Sequence, residues 1–282
     1  MAEYESTAPP LMEAVESPEP PEIVLTPVND EREILVEAVD LLVQIGGLLL
    51  QNGAHAEYVE ASLERLEAGL NIDRIDVIVM SRSILLTATH RNLHHTRLAR
   101  LPIVGVNLSL LSEAEHLLQR FEQGGMTAMQ LAEELQRIVA LPPHYTRRVN
   151  LTAIGLGCAA FCHLFGGDGM AMAVTGVAAA TAAWVRMLLT RRQVNYFLVV
   201  LFTALTASLL AGSAVWLSET PQSALTAAVI LLVPGASLIN ASIDILHGHI
   251  FSGMSRITIS LVVFFGIALG LGAVVQLLRV SL

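Results

Sequence analysis

The chain has 282 residues, a formal net charge of −9, and hydrophobic side chains at 54% of its positions. It contains no lysine and no basic stripe of arginines, which argues against nucleic-acid binding. Without lysine there is no Walker A phosphate-binding loop, so ATP-driven pumping by this chain alone is not expected.

The charge is divided sharply near Arg147 and Arg148. Residues 1–148 carry 22 acidic residues and 11 arginines, a formal charge of −11, whereas residues 149–282 carry three acidic residues and five arginines, or +2. The second part contains uncharged stretches of about 20 residues, long enough to cross the ~30 Å hydrocarbon layer of a bilayer. The composition therefore predicts an α-helical membrane protein, in which a soluble α+β cytoplasmic domain precedes a five-helix transmembrane domain.

The N-terminal part is predicted to be a tail followed by a folded domain. Residues 1–29 are rich in proline and glutamate, which predicts a disordered tail. Residues 30–145 are predicted to form the cytoplasmic domain. Asp30 and Glu33 match a capping box that opens its first helix, and Asn52-Gly53 is a plausible stop.

Further elements of this domain follow from apolar periodicity. They are a helix at 54–70, strands at 74–81 and 83–90, a third apolar run at 101–106, and two amphipathic helices opening at Ser112 and Thr127. Between the strands and this run, His90, His94 and His95 stand near Arg91 and Arg97. These residues are predicted to form a solvated basic loop, with contact to lipid headgroups or to an anionic ligand as the alternative.

Five apolar stretches predict the transmembrane domain of residues 149–282. The predicted helices are 149–166, 169–190, 195–217, 222–244 and 256–278. Six arginines fall on one side of these helices and only Arg279 on the other, so the positive-inside rule places the N-terminus in the cytoplasm and the C-terminus outside. This predicts a multi-pass protein in the lipid bilayer of a bacterial-type inner membrane. An odd helix count means that a second copy of the unit would insert in the inverted orientation, as in many secondary transporters. Five helices alone form only a thin wall around a polar path, so a short membrane subunit of the same family or a homo-oligomer is expected.

The fourth predicted helix carries the strongest functional signal. Pro234 and Gly235 interrupt it, which frees backbone carbonyls inside the membrane. Ser237, Asn240 and Asp244 follow at spacings that put them on one helix face. Because polar groups in a membrane usually face an interior path, this face is predicted to bind a small-molecule substrate or a proton. The alternative is a kinked packing helix with Asp244 at the water interface.

Charged neighbours extend this prediction. Arg256 and Arg186 could each pair with Asp244 or hold a substrate carboxylate, and each could equally be a topology anchor. Asp244 with His247 and His249 resembles a set of metal ligands, although proton exchange fits these residues better. Neither a metal site nor a cofactor nor a catalytic residue is therefore predicted.

Small residues in two helices predict close helix packing. Gly266 and Gly270 form a G-x-x-x-G motif in the fifth predicted helix. In the third, Ala204, Ser208 and Gly212 form a second stripe of small side chains. Both stripes are interpreted as contacts between helices, with no function beyond packing.

Three groups of residues carry a family resemblance. They are Leu49-Leu50-Gln51-Asn52-Gly53-Ala54 with Val59-Glu60, then Val106-Asn107-Leu108, and finally Leu232-Val233-Pro234-Gly235 with Asn240, Asp244, Gly248, Gly253 and Arg256. Through them, residues 30–280 resemble the threonine/serine exporter family, in the split form where a long subunit works with a short membrane subunit. The chain departs from the family pattern at Ala56, Tyr58 and His249, where the family usually has threonine, arginine and an acidic residue.

The resemblance implies proton-driven export of threonine, serine or a related amino acid, by a protein that is not an enzyme. In the split form it also implies, as an alternative, export of a dicarboxylate such as succinate together with a short partner subunit. Two other classes stay open from the residues themselves. One is a membrane-anchored sensor or scaffold, and the other is a membrane enzyme acting on lipid, for which Asp244 and the two nearby histidines are the only support.

Overall fold

The computed structural model describes residues 30–102, 106–140 and 145–278, so the predicted tail at 1–29 lies outside the described residues. Most of the described chain is helical. In chain order the elements are α1 (Asp30–Gln51), α2 (Ala56–Glu64), a 3₁₀ turn (Ala68–Leu70), β1 (Arg74–Met80), β2 (Ser83–His90), β3 (Leu93–Arg100), α3 (Leu108–Glu122), α4 (Ala128–Ala140), α5 (Arg147–Leu164), α6 (Gly169–Arg191), α7 (Tyr196–Gly212), a 3₁₀ turn (Ser213–Trp216), α8 (Pro221–Val229), a 3₁₀ turn (Ile230–Leu232), α9 (Gly235–Leu246) and α10 (Ile250–Leu278).

The N-terminal domain, defined here as the described residues from 30 to 140, packs helices against a small sheet. Its three strands are antiparallel in the order β1-β2-β3, and α1 lies across β2 and β3. Leu42 and Leu49 of α1 and Ile84 and Leu86 of β2 are fully buried in the shared core. The helix α1 ends where the sequence predicted, because Gly53 adopts a φ of +109°, which side-chain-bearing residues rarely adopt.

The third strand differs from the prediction. It is Leu93–Arg100, the segment interpreted as a basic loop, whereas the apolar run at 101–106 begins after the strand has ended and its residues 103–105 lie outside the described part. This strand lies at the edge of the sheet, where most of its side chains stay at least partly exposed. Because an edge strand need not alternate apolar and polar residues, the sequence lacked the usual signal.

The helix boundaries in this domain follow their capping side chains. Thr127 and Gln130 exchange hydrogen bonds of 2.9 and 3.3 Å at the start of α4, as the sequence predicted. In contrast, α3 begins at Leu108 and not at Ser112, because the Asn107 side chain accepts a hydrogen bond of 3.2 Å from the Leu110 N–H. The helix predicted at 54–70 is also divided, into α2 and a separate 3₁₀ turn.

The second part of the chain contains fewer clear membrane spans than predicted. Within the described residues, α6, α7 with its 3₁₀ turn, and α10 are long and apolar enough to cross a bilayer, and α8 with α9 makes a fourth candidate if the bent pair is one span. The predicted count of five is thus not confirmed. The helix α5 begins with Arg147 and Arg148 and also contains Asn150 and His163, which lower its mean hydropathy.

The fourth predicted helix is two helices. Its halves, α8 and α9, meet at a 54° bend across Val233 and Pro234. Proline has no N–H to donate and its ring clashes with the preceding turn, so the helical hydrogen bonds stop here and Val233 is extended (ψ 124°). Beyond α9, Gly248 (φ +89°) makes a tight turn, after which α10 begins at Ile250 instead of residue 256.

Two loops between helices are joined to each other through Asp168. Asp168 caps α6 by accepting a 2.7 Å hydrogen bond from the Ala171 N–H, and its other oxygen accepts from the Ser218 hydroxyl at 2.8 Å and the Glu219 N–H at 3.0 Å. These donors lower the pKa of Asp168, because they stabilise its ionised form. The loop after α5 and the loop before α8 are thereby joined.

The two predicted stripes of small residues meet each other. A Cβ atom added to Gly270 would lie 2.6 Å from the Ala204 Cβ, and one added to Gly266 would lie 3.2 Å from Val200. Ser208 is buried in the same region, and Gly212 lies against Leu278. Close approach of α7 and α10 therefore depends on glycine at the contact points.

Gly270→Ala is expected to destabilise the helix bundle, because the new methyl group cannot fit against Ala204. Overpacking of this kind costs about 1–3 kcal/mol. Gly272→Ala is the matched control: it lies in the same helix, and nothing lies within 4 Å of its added Cβ. Thermal unfolding in detergent should show a lower Tm for Gly270→Ala only. Equal Tm values for the two variants would contradict this packing.

Candidate functional site

A cavity of about 320 Å³ lies beside the break between α8 and α9. Pro234, Gly235, Ser237, Asn240 and Arg256 all line it, so the structure brings together five of the six residues predicted for the substrate path. The sixth, Asp244, is not among the described lining residues but pairs with Arg256, which is. The break itself lies near the end of the bundle that faces the N-terminal domain, because the ends of α6 and α7 also line the cavity.

Both parts of the chain form this cavity. The membrane helices contribute Arg186 of α6 and Tyr196 of α7 besides the broken helix. The N-terminal domain contributes the end of α1 around Gln51, the β1–β2 turn with Arg82, and Pro102. These contributions from the N-terminal domain were not predicted, since nothing in the sequence relates residue 82 to residue 234.

The described lining of the cavity is strongly basic. Arg82, Arg186 and Arg256 line it, and no aspartate or glutamate is among the described lining residues. The nearest predicted acid, Asp244, is fully buried and paired with Arg256, with 3.0 Å between the Asp244 Oδ2 and Arg256 Nε atoms. This leaves Arg82 and Arg186 as the cationic groups best able to attract a negatively charged ligand.

Asp244 joins three separate segments of the chain. Its Oδ1 atom accepts a 2.7 Å hydrogen bond from the Ala56 N–H at the start of α2, and Oδ2 accepts one of 2.8 Å from the Ser252 hydroxyl of α10. With Arg256 these contacts compensate a carboxylate that has no access to water. The contact with α2 uses the backbone, so it does not depend on the departure from the family pattern at Ala56.

Two further hydrogen bonds hold the turn before α2 against the broken helix. Asn240 donates from Nδ2 to the Gly53 carbonyl oxygen at 2.7 Å, and Arg256 donates from Nη2 to the Ala54 carbonyl oxygen at 3.1 Å. The Ser237 hydroxyl accepts a 3.4 Å hydrogen bond from the Ser260 hydroxyl of α10. The predicted polar face of α9 is thus covered by residues 53–56 and by α10.

Histidines surround this contact. His247 lies 3.2 Å from Glu57 and His249 lies 3.5 Å from Glu60, measured from ring nitrogen to carboxylate oxygen. His55 caps α2, and its Nδ1 atom accepts from the Tyr58 N–H at 3.2 Å. Burial lowers the pKa of His55, although the Asp244 and Glu57 carboxylates act in the opposite direction.

The metal-ligand alternative finds no geometric support in this region. Across residues 30–102, 106–140 and 145–278, no three histidine, cysteine, aspartate or glutamate side chains converge as a metal site would require. His247 and His249 instead face glutamates of α2 in the N-terminal domain.

A ligand-sized basic cavity beside a broken apolar helix is an arrangement typical of membrane transporters. Residues 40–278 match the family model described as "Putative threonine/serine exporter". The chain therefore belongs to the threonine/serine exporter family of membrane transporters.

Two kinds of relative bear on the substrate. Over 219 residues the chain is 32% identical to the "Probable succinate transporter subunit YjjP" of Klebsiella aerogenes, covering 77% of this chain and 84% of the relative. The protein of the same name from Escherichia coli is also 32% identical, with 77% and 85% covered. A "Probable threonine/serine exporter" of Mycobacterium tuberculosis is 21% identical over 83% of this chain and 45% of the relative. No solved structure shows a significant match.

Proposed function

We propose that this chain is the long subunit of a secondary transporter that exports a small dicarboxylate such as succinate. The observation that carries this proposal is the charge of the cavity, which is lined by Arg82, Arg186 and the Asp244-paired Arg256, with no acidic side chain among the described lining residues. A dicarboxylate presents two anionic groups, and guanidinium groups bind carboxylates in a bidentate manner. The succinate transporter name of the 32% identical relatives supports the same substrate class.

The proposed roles follow from position. Arg82 and Arg186 attract the two carboxylates of the substrate, one from the N-terminal domain and one from α6. Asn240 and Ser237 offer polar atoms at the helix break. Asp244 takes up a proton during the cycle, and its protonation frees Arg256 from the ion pair.

Charged and titratable groups lie around the proposed proton site. Arg256 of α10 pairs with Asp244, and His55, which caps α2, interacts electrostatically with Asp244, Glu57, His247 and Arg256. The driving force in this proposal is the proton gradient, as in many transporters with buried carboxylates.

Threonine or serine is the second candidate substrate, favoured by the description of the family model. Ser237 and Asn240 could bind the hydroxyl group, and one arginine could bind the carboxylate. An amino acid also carries an ammonium group, however, and the described lining offers it carbonyl and hydroxyl oxygens but no carboxylate. The geometry therefore supports the dicarboxylate better.

Counterflow in proteoliposomes tests the choice. Labelled succinate, threonine and serine are offered under an imposed pH gradient, to the purified chain alone and to the chain with a short membrane subunit of the same family. Gradient-dependent exchange of succinate above that of the amino acids is expected. Exchange of threonine or serine alone would reject the dicarboxylate, and a lack of exchange with either preparation would favour the sensor or scaffold class.

A further inference from the structure

The N-terminal domain closes one side of the cavity. Its β1–β2 turn and the end of α1 line the cavity together with Arg186 and the helix break. A substrate arriving from this side must therefore pass between the domain and α9. A rigid domain in this position would obstruct the path that the cavity defines.

Polar links join the domain to the helices. Among the described residues they are the clamp, defined as the hydrogen bonds of Asn240 to Gly53, Arg256 to Ala54 and Ala56 to Asp244, together with a hydrogen bond of 2.6 Å between the hydroxyls of Ser81 and Ser255. The pairs His247–Glu57 and His249–Glu60, whose side chains are between 22% and 47% exposed, add contacts that water partly screens. The buried apolar clusters, by contrast, stay within each part: one belongs to the N-terminal domain and two belong to the membrane helices.

The apolar cores therefore keep each part rigid, whereas the polar contact between the two parts can open. Each part has its own apolar core, while hydrogen bonds and ion pairs join them, as is usual at interfaces that open and close. The clamp also uses side chains of the candidate site, because Asn240 and Arg256 line the cavity and Asp244 pairs with Arg256. Asn240 and Arg256 each donate to a backbone carbonyl of residues 53–54, so a ligand that engages either side chain competes with the clamp.

We propose that the N-terminal domain is a moving wall of the transport site, which the clamp holds shut and which must separate from α9 and α10 for substrate to enter. This inference rests on the proposed transport function. Residues 53–56 are the part of this moving wall that forms hydrogen bonds to α9 and α10. Arg82 moves with the wall, so the cavity has its full positive charge only when the wall is closed.

A disulfide across the contact tests this proposal. Ser81→Cys with Ser255→Cys places two thiols where two hydroxyls now lie 2.6 Å apart. The natural cysteines, Cys158 and Cys162, are buried and free. Oxidation of the full-length variant should reduce succinate counterflow about tenfold or more, and dithiothreitol should restore it. Because the comparison is made within one variant, effects of the substitutions themselves cancel.

The control pair lies within one domain. Thr87→Cys with Thr96→Cys replaces hydroxyls 2.9 Å apart on paired strands, and its disulfide leaves the wall free to move. Oxidation of this control should leave counterflow unchanged. Undiminished counterflow after complete oxidation of the Ser81–Ser255 pair would overturn the proposal.

A second measurement separates the gate from the transport function. The rate of copper-phenanthroline oxidation of the Ser81–Ser255 cysteine pair reports how often the wall is closed, and it needs no transported substrate. Adding Asn240→Ala removes the clamp to Gly53 and should slow this oxidation several-fold, while the Thr87–Thr96 pair oxidises at its former rate. If the reduced protein transports none of the three substrates, the proposed transport function is rejected. The oxidation rate then still tests the moving wall, because an unchanged rate with Asn240→Ala would reject it.

Discussion

Asp244→Asn is expected to abolish proton-driven transport while the protein still inserts into the membrane. An asparagine cannot take up and release a proton, and it leaves Arg256 buried without its counter-charge. Removing one partner of a buried ion pair costs about 3–5 kcal/mol. The variant should therefore show a lower Tm together with no detectable counterflow under a pH gradient.

The matched control separates the structural loss from the loss of the proton. Asp244→Asn combined with Arg256→Gln removes both charges, so no unpaired cation is left in the interior. This double variant should regain much of the Tm and none of the transport. Transport at the wild-type rate by Asp244→Asn, at equal protein level, would falsify the proposed role of Asp244.

Arg186→Gln is the second substitution with a large expected effect. Loss of one guanidinium-to-carboxylate contact removes about 1.5–3 kcal/mol of binding, which corresponds to about a 10- to 150-fold lower efficiency of succinate transport. Arg82→Gln should act in the same direction, since Arg82 lines the same cavity. The concentration dependence of counterflow measures both, and we expect the apparent KM to rise.

Arg191→Gln is the control for this prediction. Arg191 is an exposed arginine at the end of the same helix and is not part of the cavity wall. If these arginines only anchored the topology of the protein, the substitutions at 186 and 191 would have similar effects. A normal succinate KM in Arg186→Gln would therefore contradict the proposed dicarboxylate site. If only one of the Arg82 and Arg186 substitutions raised the KM, a substrate with a single carboxylate would be favoured.

Local patterns predicted the elements whose signals are local. The stop at Gly53, the strands β1 and β2, and the cap of α4 each depend on neighbouring residues, and the structure has them as predicted. The interruption at Pro234 was also readable, because proline disrupts a helix wherever it falls. By contrast, β3 has no alternating pattern of apolar and polar residues. The helix α5 is not among the candidate membrane spans, because its polar residues lower its mean hydropathy.

The candidate site was partly readable for the same reason. Ser237, Asn240 and Asp244 share a face because helix geometry relates positions close in sequence. The residues that this face contacts are about 190 positions away: Asn240 binds Gly53, and Asp244 binds Ala56. In the sequence, Asn52-Gly53-Ala54 signalled a helix stop and a family resemblance, whereas the structure shows that the backbone of residues 53–56 contacts the broken helix.

By itself, then, the sequence determined the composition break, the broken helix, the charged residues on it and the family, since each of these follows from local order or from matched residues. Only the tertiary structure decided that Asp244 lies fully buried in an ion pair, that Arg82 and Arg186 share one cavity, and that the N-terminal domain covers the helix break. The physical reason is that hydrogen bonds, ion pairs and burial depend on distance in space. Helix and strand periodicity relates only near neighbours, so it carries no information about which distant segments meet.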